Sequence, residues 1–361
     1  MSGEFGFSSV EMSDEAKQEA LRLEKIKAES NLELARRSQE GQRPFAEREV
    51  EELPAIYAES IIAEKMKEAG VPVLFTDIDK TFYDESDPQA SRDLADLLER
   101  SGTSLVYVTA RNWPDCQEET VRELREPPQP DVYISFMGTK IYVRQKSGEY
   151  KQDMEFEETM NKEWHSMDVA ELLKGVVEEI NDEDVVIPER QPLEYAITIH
   201  VMGNDNDKIK LALERLETAL PNELRVFFWT GAETDRSYIT VLPASGGKMP
   251  AVNYLSDKLG INKAVTAGDS CSDVEMITSS KHPGILVGGS AETAIAAVQQ
   301  ASDHRWGSFG VSRENGNIVY LASQQVAGGV KESLMDGWVN PWGAKDVFIE
   351  ETSSRLKNPD L

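Results

Sequence analysis

The stretch Val73-Leu74-Phe75-Thr76-Asp77-Ile78-Asp79-Lys80-Thr81 decides how the chain is read. Its first half is a short apolar run of the kind that forms a strand buried on both faces of a parallel sheet. Its second half sets two carboxylates two positions apart at the carboxyl end of that strand, where open α/β sheets bind their ligands. If the chain stays extended there, side chains two apart point to the same side, so Asp77 and Asp79 would face one site. Buried like charges held close together are costly unless a cation lies between them, and a hard cation such as Mg2+ takes oxygen ligands. The alternative is a strand-end Asx turn with both aspartates in water.

The same style of segment recurs on either side. Leu105–Thr109 and Val132–Phe136 are further apolar runs, with Leu94, Leu97 and Leu98 forming a helix between the first two strands and Gly102 closing it. Ala264–Ala267 and Ile285–Val287 repeat the pattern after the helical stretch Ala251–Leu259. Short apolar strands alternating with helices give an α/β fold, a doubly wound, mostly parallel sheet. Between about Gly138 and Pro243 the rhythm changes. Ile141–Arg144 is strand-like, and Ser147-Gly148 makes a hairpin turn before Tyr150. Tyr195–Val201 alternates as a strand with one solvated face, Val169–Ile180 and Asp207–Leu220 are helices, and Leu224–Trp229 and Tyr238–Leu242 are strands. This is a second sheet-and-helix module inserted in the first.

The organisation expected is therefore an N-terminal helical extension over residues 1–70, a core built from 71–137 and 244–361, and an inserted α+β domain over 138–243. Within the extension, Ser13–Gln39 is rich in helix formers with only a weak apolar stripe, and the helix opening at Pro54 is the part expected to join the main fold. Trp338–Trp342 reads as a docked tail.

Composition narrows the function. The 361 residues carry 40% hydrophobic and 29% charged side chains, a globular balance. Lys and Arg number 38 against 65 Asp and Glu, a net charge of −27 that argues against a general nucleic-acid binder. It fits solubility, or a salty cytoplasm. There is no apolar run long enough to span a membrane, and Met1–Val10 does not read as a signal peptide. Cys116 and Cys271 are the only cysteines, so a reducing, cytoplasmic setting is expected.

Three further signals follow Asp77 and Asp79 in order. Thr109-Ala110-Arg111 ends the second strand with a hydroxyl and backbone N–H groups. Lys248 follows Gly246-Gly247 and opens a helix. Gly268-Asp269-Ser270-Cys271-Ser272-Asp273 ends another strand with two more aspartates. Singly these read as a turn threonine, a surface lysine and an acidic N-cap. Together they supply a nucleophile, an anion clamp and metal ligands at the tips of one sheet.

In that conjunction the chain resembles the haloacid dehalogenase superfamily of phosphohydrolases. Its four motifs match DxDxT at Asp77–Thr81, the threonine Thr109, the lysine Lys248, and GDSxxD at Gly268–Asp273. Val108–Arg111 (VTAR), Tyr238–Pro243 running into Lys248, and Ala327–Leu334 make it similar to the sucrose-phosphate phosphatase group, a likeness running from Val71 to Leu334. The resemblance implies a Rossmann-like core with a large α/β cap between the second and third motifs. It implies that Asp77 attacks the phosphoryl group and that Asp79 protonates the leaving alcohol and then activates water. Thr81, Thr109, Ala110, Arg111 and Lys248 would hold or frame the phosphate. Mg2+ would be bound by Asp77, Asp79 through its carbonyl, Asp269 and Asp273. The sequence departs from the family pattern at Lys80, Ser272, Met137 and Gly288-Gly289-Ser290, none of which removes a catalytic carboxylate.

In such enzymes the cap selects the leaving group; Gln191, Glu194 and Arg236 are the candidates, with Trp229 either core packing or a sugar platform. The four histidines lack metal-ligand spacing. The expected substrate is a small sugar phosphate resembling sucrose 6-phosphate. The rivals are a phosphorylated glycosylglycerate or other osmolyte precursor, a phosphomannomutase-like transfer, and a non-catalytic binding protein. The N-terminal helices are expected to serve self-association or docking on a partner synthase.

Overall fold

The computed structural model describes residues 54–67, 71–84, 86–112, 129–189, 193–203, 205–230, 236–290, 292–300, 311–312 and 318–335. The helix expected over Ser13–Gln39 and the Trp338–Trp342 stretch lie outside them. In chain order, the short helices α1 (Ala55–Ala58) and α2 (Ile61–Lys67) precede β1 (Val73–Thr76), α3 (Pro88–Arg100), β2 (Ser104–Val108), β3 (Val132–Ser135), β4 (Lys140–Arg144) and β5 (Tyr150–Gln152). Then come α4 (Met154–Trp164), α5 (Val169–Ile180), β6 (Val185–Val186), β7 (Ile197–Met202), α6 (Asn206–Ala219), β8 (Leu224–Thr230) and β9 (Arg236–Pro243). The chain continues through α7 (Lys248–Leu259), β10 (Ala264–Gly268), α8 (Val274–Ser279), β11 (Gly284–Gly288), α9 (Glu292–Gln300), β12 (Val311–Ser312), β13 (Ile318–Gln325) and α10 (Val326–Met335).

Among the described residues, nine strands form one sheet in the order β12-β13-β11-β10-β1-β2-β3-β4-β5. From β13 through β3 every neighbouring pair is parallel. The central strands are buried along their whole length, as a sheet covered on both faces requires. Alternate residues of β1 show why: Val73 and Phe75 enter one apolar cluster, and Leu74 enters the other on the opposite face. α3 starts because Asp87 accepts a hydrogen bond from the Ala90 amide and Pro88 suits the first turn. It buries Leu94, Leu97 and Leu98, and Gly102, at φ +66°, releases the chain into β2.

The inserted module has its own antiparallel sheet of four strands, β6-β7-β9-β8. Ile199, Val201, Val226, Phe228, Ile239 and Val241 pack under α5 and α6, whose Leu173, Val176, Ile209 and Leu216 complete that layer. The hairpin β4–β5, grouped with the insertion on sequence, pairs instead with β3 and extends the large sheet. Ile141 and Val143 supply the reason, since both are fully buried in the cluster that Val132 and Ile134 share. The chain first enters the module after Asp153, which caps α4 by accepting from the Glu155 and Phe156 amides.

The helix opening at Pro54 joins the fold, as the sequence suggests. Tyr57 and Ile62 are fully buried. The Tyr57 hydroxyl donates to the Asp153 carboxylate, Ser60 bridges to Gln145, and Lys65 pairs with Asp131 at 2.7 Å. This segment therefore packs on the β4–β5 side of the sheet.

Candidate active site

The tips of β1, β2 and β10 lie side by side, because Thr76 is in register with both Tyr107 and Ala267. Asp77 follows directly, with its amide still donating to the Ala267 carbonyl at 3.0 Å. Its Oδ1 accepts from the Ile78 amide at 2.8 Å, which leaves Oδ2 facing Lys248 Nζ at 3.1 Å. Lys248 is the first residue of α7, 7% exposed, and its ammonium also donates to Asp273 Oδ1 at 2.7 Å. Asp273 is wholly buried, and its other oxygen accepts from the Ser270 amide and hydroxyl at 3.1 and 2.8 Å. Gly268 is required by this arrangement: a Cβ there would fall 2.2 Å from the Asp273 Cβ.

Asp77, Asp269 and Asp273 each place a carboxylate oxygen within 4.8 Å of the others. Thr81, fully buried, donates its hydroxyl to Asp269 Oδ1 at 2.9 Å. The electrostatics show the cost of this convergence. Burial pushes the Asp77 carboxyl well above the usual range; Lys248 pulls it back, while Asp273 and Asp269 push it further up. Burial, then Asp273, pushes Asp269 up to about 7 against the Thr81 hydroxyl and the Lys248 ammonium. Burial alone would lower Lys248, but Asp273 and Asp77 outweigh it and hold its ammonium protonated. A cation among these three carboxylates would relieve that cost, and their oxygen donors suit a hard divalent ion such as Mg2+.

Asp79 sits differently from the extended-chain expectation. The amides of Phe82 and Tyr83 both donate to the Ile78 carbonyl, so the chain turns immediately after the strand. Lys80 takes the left-handed conformation that this turn needs, at φ +56°. Asp79 is thereby aimed at Arg111, whose Nε and Nη2 donate to its two oxygens at 2.9 and 2.5 Å. Its side chain is half exposed, at the mouth of the site and apart from the group formed by the other three carboxylates. Thr109 is buried at the tip of β2, and its Oγ1 accepts from the Arg111 amide at 3.1 Å. Ala110, beside it, is exposed.

The residues named for leaving-group selection are not gathered in one place. Gln191 lies outside the described residues. Glu194 accepts from Lys140 Nζ at 2.6 Å, joining the module to the start of β4. Arg236 is exposed at the start of β9, opposite Met202. Trp229 is stacked on Tyr238 with ring centroids 4.1 Å apart, and its Nε1 donates to Thr240 at 3.3 Å. His200 meets Tyr238 edge-on, so His200, Tyr238 and Trp229 form a row across three strands on the face away from α5 and α6. His282 is a core histidine, hydrogen-bonded to Ser256 at 2.7 Å and stacked on Phe75. Cys271 is a partly buried thiol packed against the core.

Two groups escaped the sequence reading. Arg225 joins Glu275 at 2.6 Å, and Glu163 accepts from the Ser245 amide and hydroxyl at 2.9 and 2.6 Å. The signal for the first was a charge at the second position of the apolar run Leu224–Trp229. Nothing in the local pattern marks the second.

A parallel sheet whose carboxyl edge joins three aspartates to a buried lysine, with a sheet-bearing module inserted beside it, is the architecture of the haloacid dehalogenase group. The chain belongs to the sucrose-6F-phosphate phosphohydrolase family, whose profile matches residues 71–335. It is 26% identical over 239 residues to a probable sucrose-phosphatase 3a of Arabidopsis thaliana, an alignment covering 62% of this chain and 52% of that protein. The chain thus spans about half the length of the curated relative it matches. In fold it is similar to the sucrose-phosphatase of Synechocystis sp. PCC6803, solved with sucrose and phosphate. The TM-score is 0.56 at 20% identity, over 73% of this chain and 96% of that one. Among the described residues, no helix is long and apolar enough to cross a membrane.

Proposed function

We propose that the protein is a Mg2+-dependent phosphatase acting on a small sugar phosphate of the sucrose 6-phosphate kind. The observation that carries this reading is the cluster itself: Asp77, with one oxygen pinned by the Ile78 amide and the other 3.1 Å from Lys248, at the open edge of the sheet. Asp77 attacks phosphorus, and the bond to the sugar oxygen breaks as Asp79 gives that oxygen a proton. Water, losing its proton to Asp79, then attacks the aspartyl-phosphate, releasing phosphate and restoring both carboxyl groups. The charge spread over the phosphoryl oxygens needs fixed positive groups more than covalent help, and Lys248 and the Thr109–Arg111 segment supply them. The bound cation, held by Asp77, Asp269 and Asp273 with the Asp79 carbonyl, would offset charge on the phosphoryl group.

Arg111 gives Asp79 its timing. While the guanidinium grips both carboxylate oxygens, Asp79 is turned away from Asp77. A substrate phosphate competes for that same guanidinium and frees Asp79 to turn toward the leaving oxygen. Recognition of the sugar falls to the open face of the four-stranded sheet, where Trp229, Tyr238 and His200 present ring surface.

The test is phosphate release from a panel holding sucrose 6-phosphate, a phosphorylated glycosylglycerate, and hexose 1- and 6-phosphates, with and without Mg2+. Release confined to sucrose 6-phosphate, requiring metal and lost in Asp77→Asn, supports the reading. Preference for the glycosylglycerate moves the substrate to an osmolyte precursor, and interconversion of the hexose phosphates without release makes the protein a phosphotransferase.

A further inference from the structure

Arg225 stands on β8, in the inserted module, yet its guanidinium reaches the catalytic edge of the large sheet. Nη2 donates to both carboxylate oxygens of Glu275 at 2.6 Å, and Nη1 donates to the Gly246 carbonyl at 3.2 Å. Glu275 lies in the first turn of α8, two positions after Asp273, and Gly246 lies two positions before Lys248. The side chains of Arg225 and Glu275 are 6% and 12% exposed, so the charges meet where water screens them little. One side chain therefore grips both segments that deliver the lysine and the aspartate on either side of it.

Beyond the backbone bond from the Gly246 amide to the Pro243 carbonyl at 2.9 Å, the segment before Lys248 has little of its own to hold it. Gly246 and Gly247 have no side chains, and Gly247 is at φ +110°. A Cβ on Gly247 would fall 3.3 Å from Arg225 Nη1, so the guanidinium occupies the space that the glycine leaves. From the other side Glu163 of α4 holds Ser245 by its amide and hydroxyl. A salt bridge serving only to fasten the module could sit anywhere along the seam between the two sheets. This one sits where a small shift would carry Lys248 away from both Asp77 and Asp273.

We propose that Arg225 is a positioning residue: from the inserted module it fixes the Gly246–Lys248 turn and the start of α8, and so sets the contact of Lys248 with Asp77 and Asp273. Its catalytic consequence rests on the phosphatase reading above. Loss of either partner alone strands a buried charge and destabilises the fold, whereas replacing a buried ion pair by two apolar side chains of similar size is often neutral. The informative protein is thus the double variant Arg225→Met/Glu275→Met, with Arg225→Lys as the milder change.

The double variant is expected to melt close to the wild type. Its kcat for p-nitrophenyl phosphate, a leaving group that needs little recognition, is expected to fall on the order of 10- to 100-fold with KM little changed. Arg225→Lys is expected to keep only part of the rate, because a compact ammonium does not reproduce the planar fork that spans Glu275 and Gly246. A second readout needs no turnover: acylation of Lys248 by a small N-hydroxysuccinimide ester, followed by peptide mass spectrometry. Lys248 is 7% exposed, and its labelling is expected to rise several-fold in the double variant. Unchanged labelling, or a wild-type kcat in the double variant, overturns the proposal. A wild type that hydrolyses no phosphate ester would sink the phosphatase reading instead, and the labelling would still decide whether Arg225 positions Lys248.

Discussion

Gly138 and Gly247 lie back to back. A Cβ on Gly138 would fall 2.3 Å from the Gly247 carbonyl carbon and 2.7 Å from the Lys248 amide nitrogen. The Gly247 amide donates to the Gly138 carbonyl at 3.3 Å, so the turn after β3 is seated on the first residue of α7. Gly138 is also at φ +80°. Gly138→Ala therefore combines overlap with backbone strain and is expected to cost about 3 kcal/mol. Urea unfolding measures the cost, and an unchanged midpoint would mean that the contact yields freely.

Cation binding is expected to raise stability through the three clustered aspartates. With Mg2+ at a hundred times its dissociation constant, the gain is about 2.7 kcal/mol, seen as a rise in melting temperature. Asp269→Asn removes one of the three carboxylates of the cluster and is expected to abolish most of that rise. An undiminished Mg2+ shift in this variant would place the cation elsewhere.

His282 makes the fold sensitive to acid. Burial, then the Lys281 charge, lowers its pKa from 6.5 to about 4 against the weaker pull of Asp257. Between those values the unfolded chain binds a proton that the folded chain refuses. The stability contribution is therefore fully present above about pH 6.5 and is lost as pH falls toward 4, by at most about 3 kcal/mol. His282→Asn should flatten this part of the stability curve in urea titrations run at successive pH values. A parallel curve would show that other groups carry the acid response.

The segment before β1 is expected to contribute through one hydrogen bond above all. Tyr57 is fully buried, and its hydroxyl and that of Tyr254 both donate to Asp153 at the entrance to the inserted module. Tyr57→Phe leaves that carboxylate short of a donor and is expected to cost about 1–3 kcal/mol. A thermal melt within experimental error of the wild type would show that Tyr254 alone satisfies Oδ2 of Asp153.

The parts of the fold legible in the sequence are those written in local pattern. Val73–Thr76, Ser104–Val108 and Ala264–Gly268 are continuous apolar runs because both their faces are covered, and the motif residues follow them at their carboxyl ends. Pairing was harder to read. Alternation in Ile141–Arg144 says that a strand exists but not which sheet it joins, and only burial against Val132 and Ile134 assigns it to the large one. The orientation of Asp79 was not legible for a related reason: the turn at Ile78 depends on amides three to five residues on, which spacing alone does not reveal. Arg225 and Glu275 are fifty residues apart and meet only once both sheets exist.

The register of the central sheet also bears on synthesis. β1 lies between β2, which follows soon after it, and β10, where Val73 pairs with Ala264 about 190 residues later. At ribosomal rates of roughly 5–20 residues per second, one edge of β1 waits on the order of 10–40 s for its partner. Through that interval the Asp77 amide lacks the Ala267 carbonyl that it finally meets. The loop that carries Asp77 is therefore among the last parts of the molecule to take shape, and the emerging chain carries an open apolar strand edge for a chaperone to guard until it does.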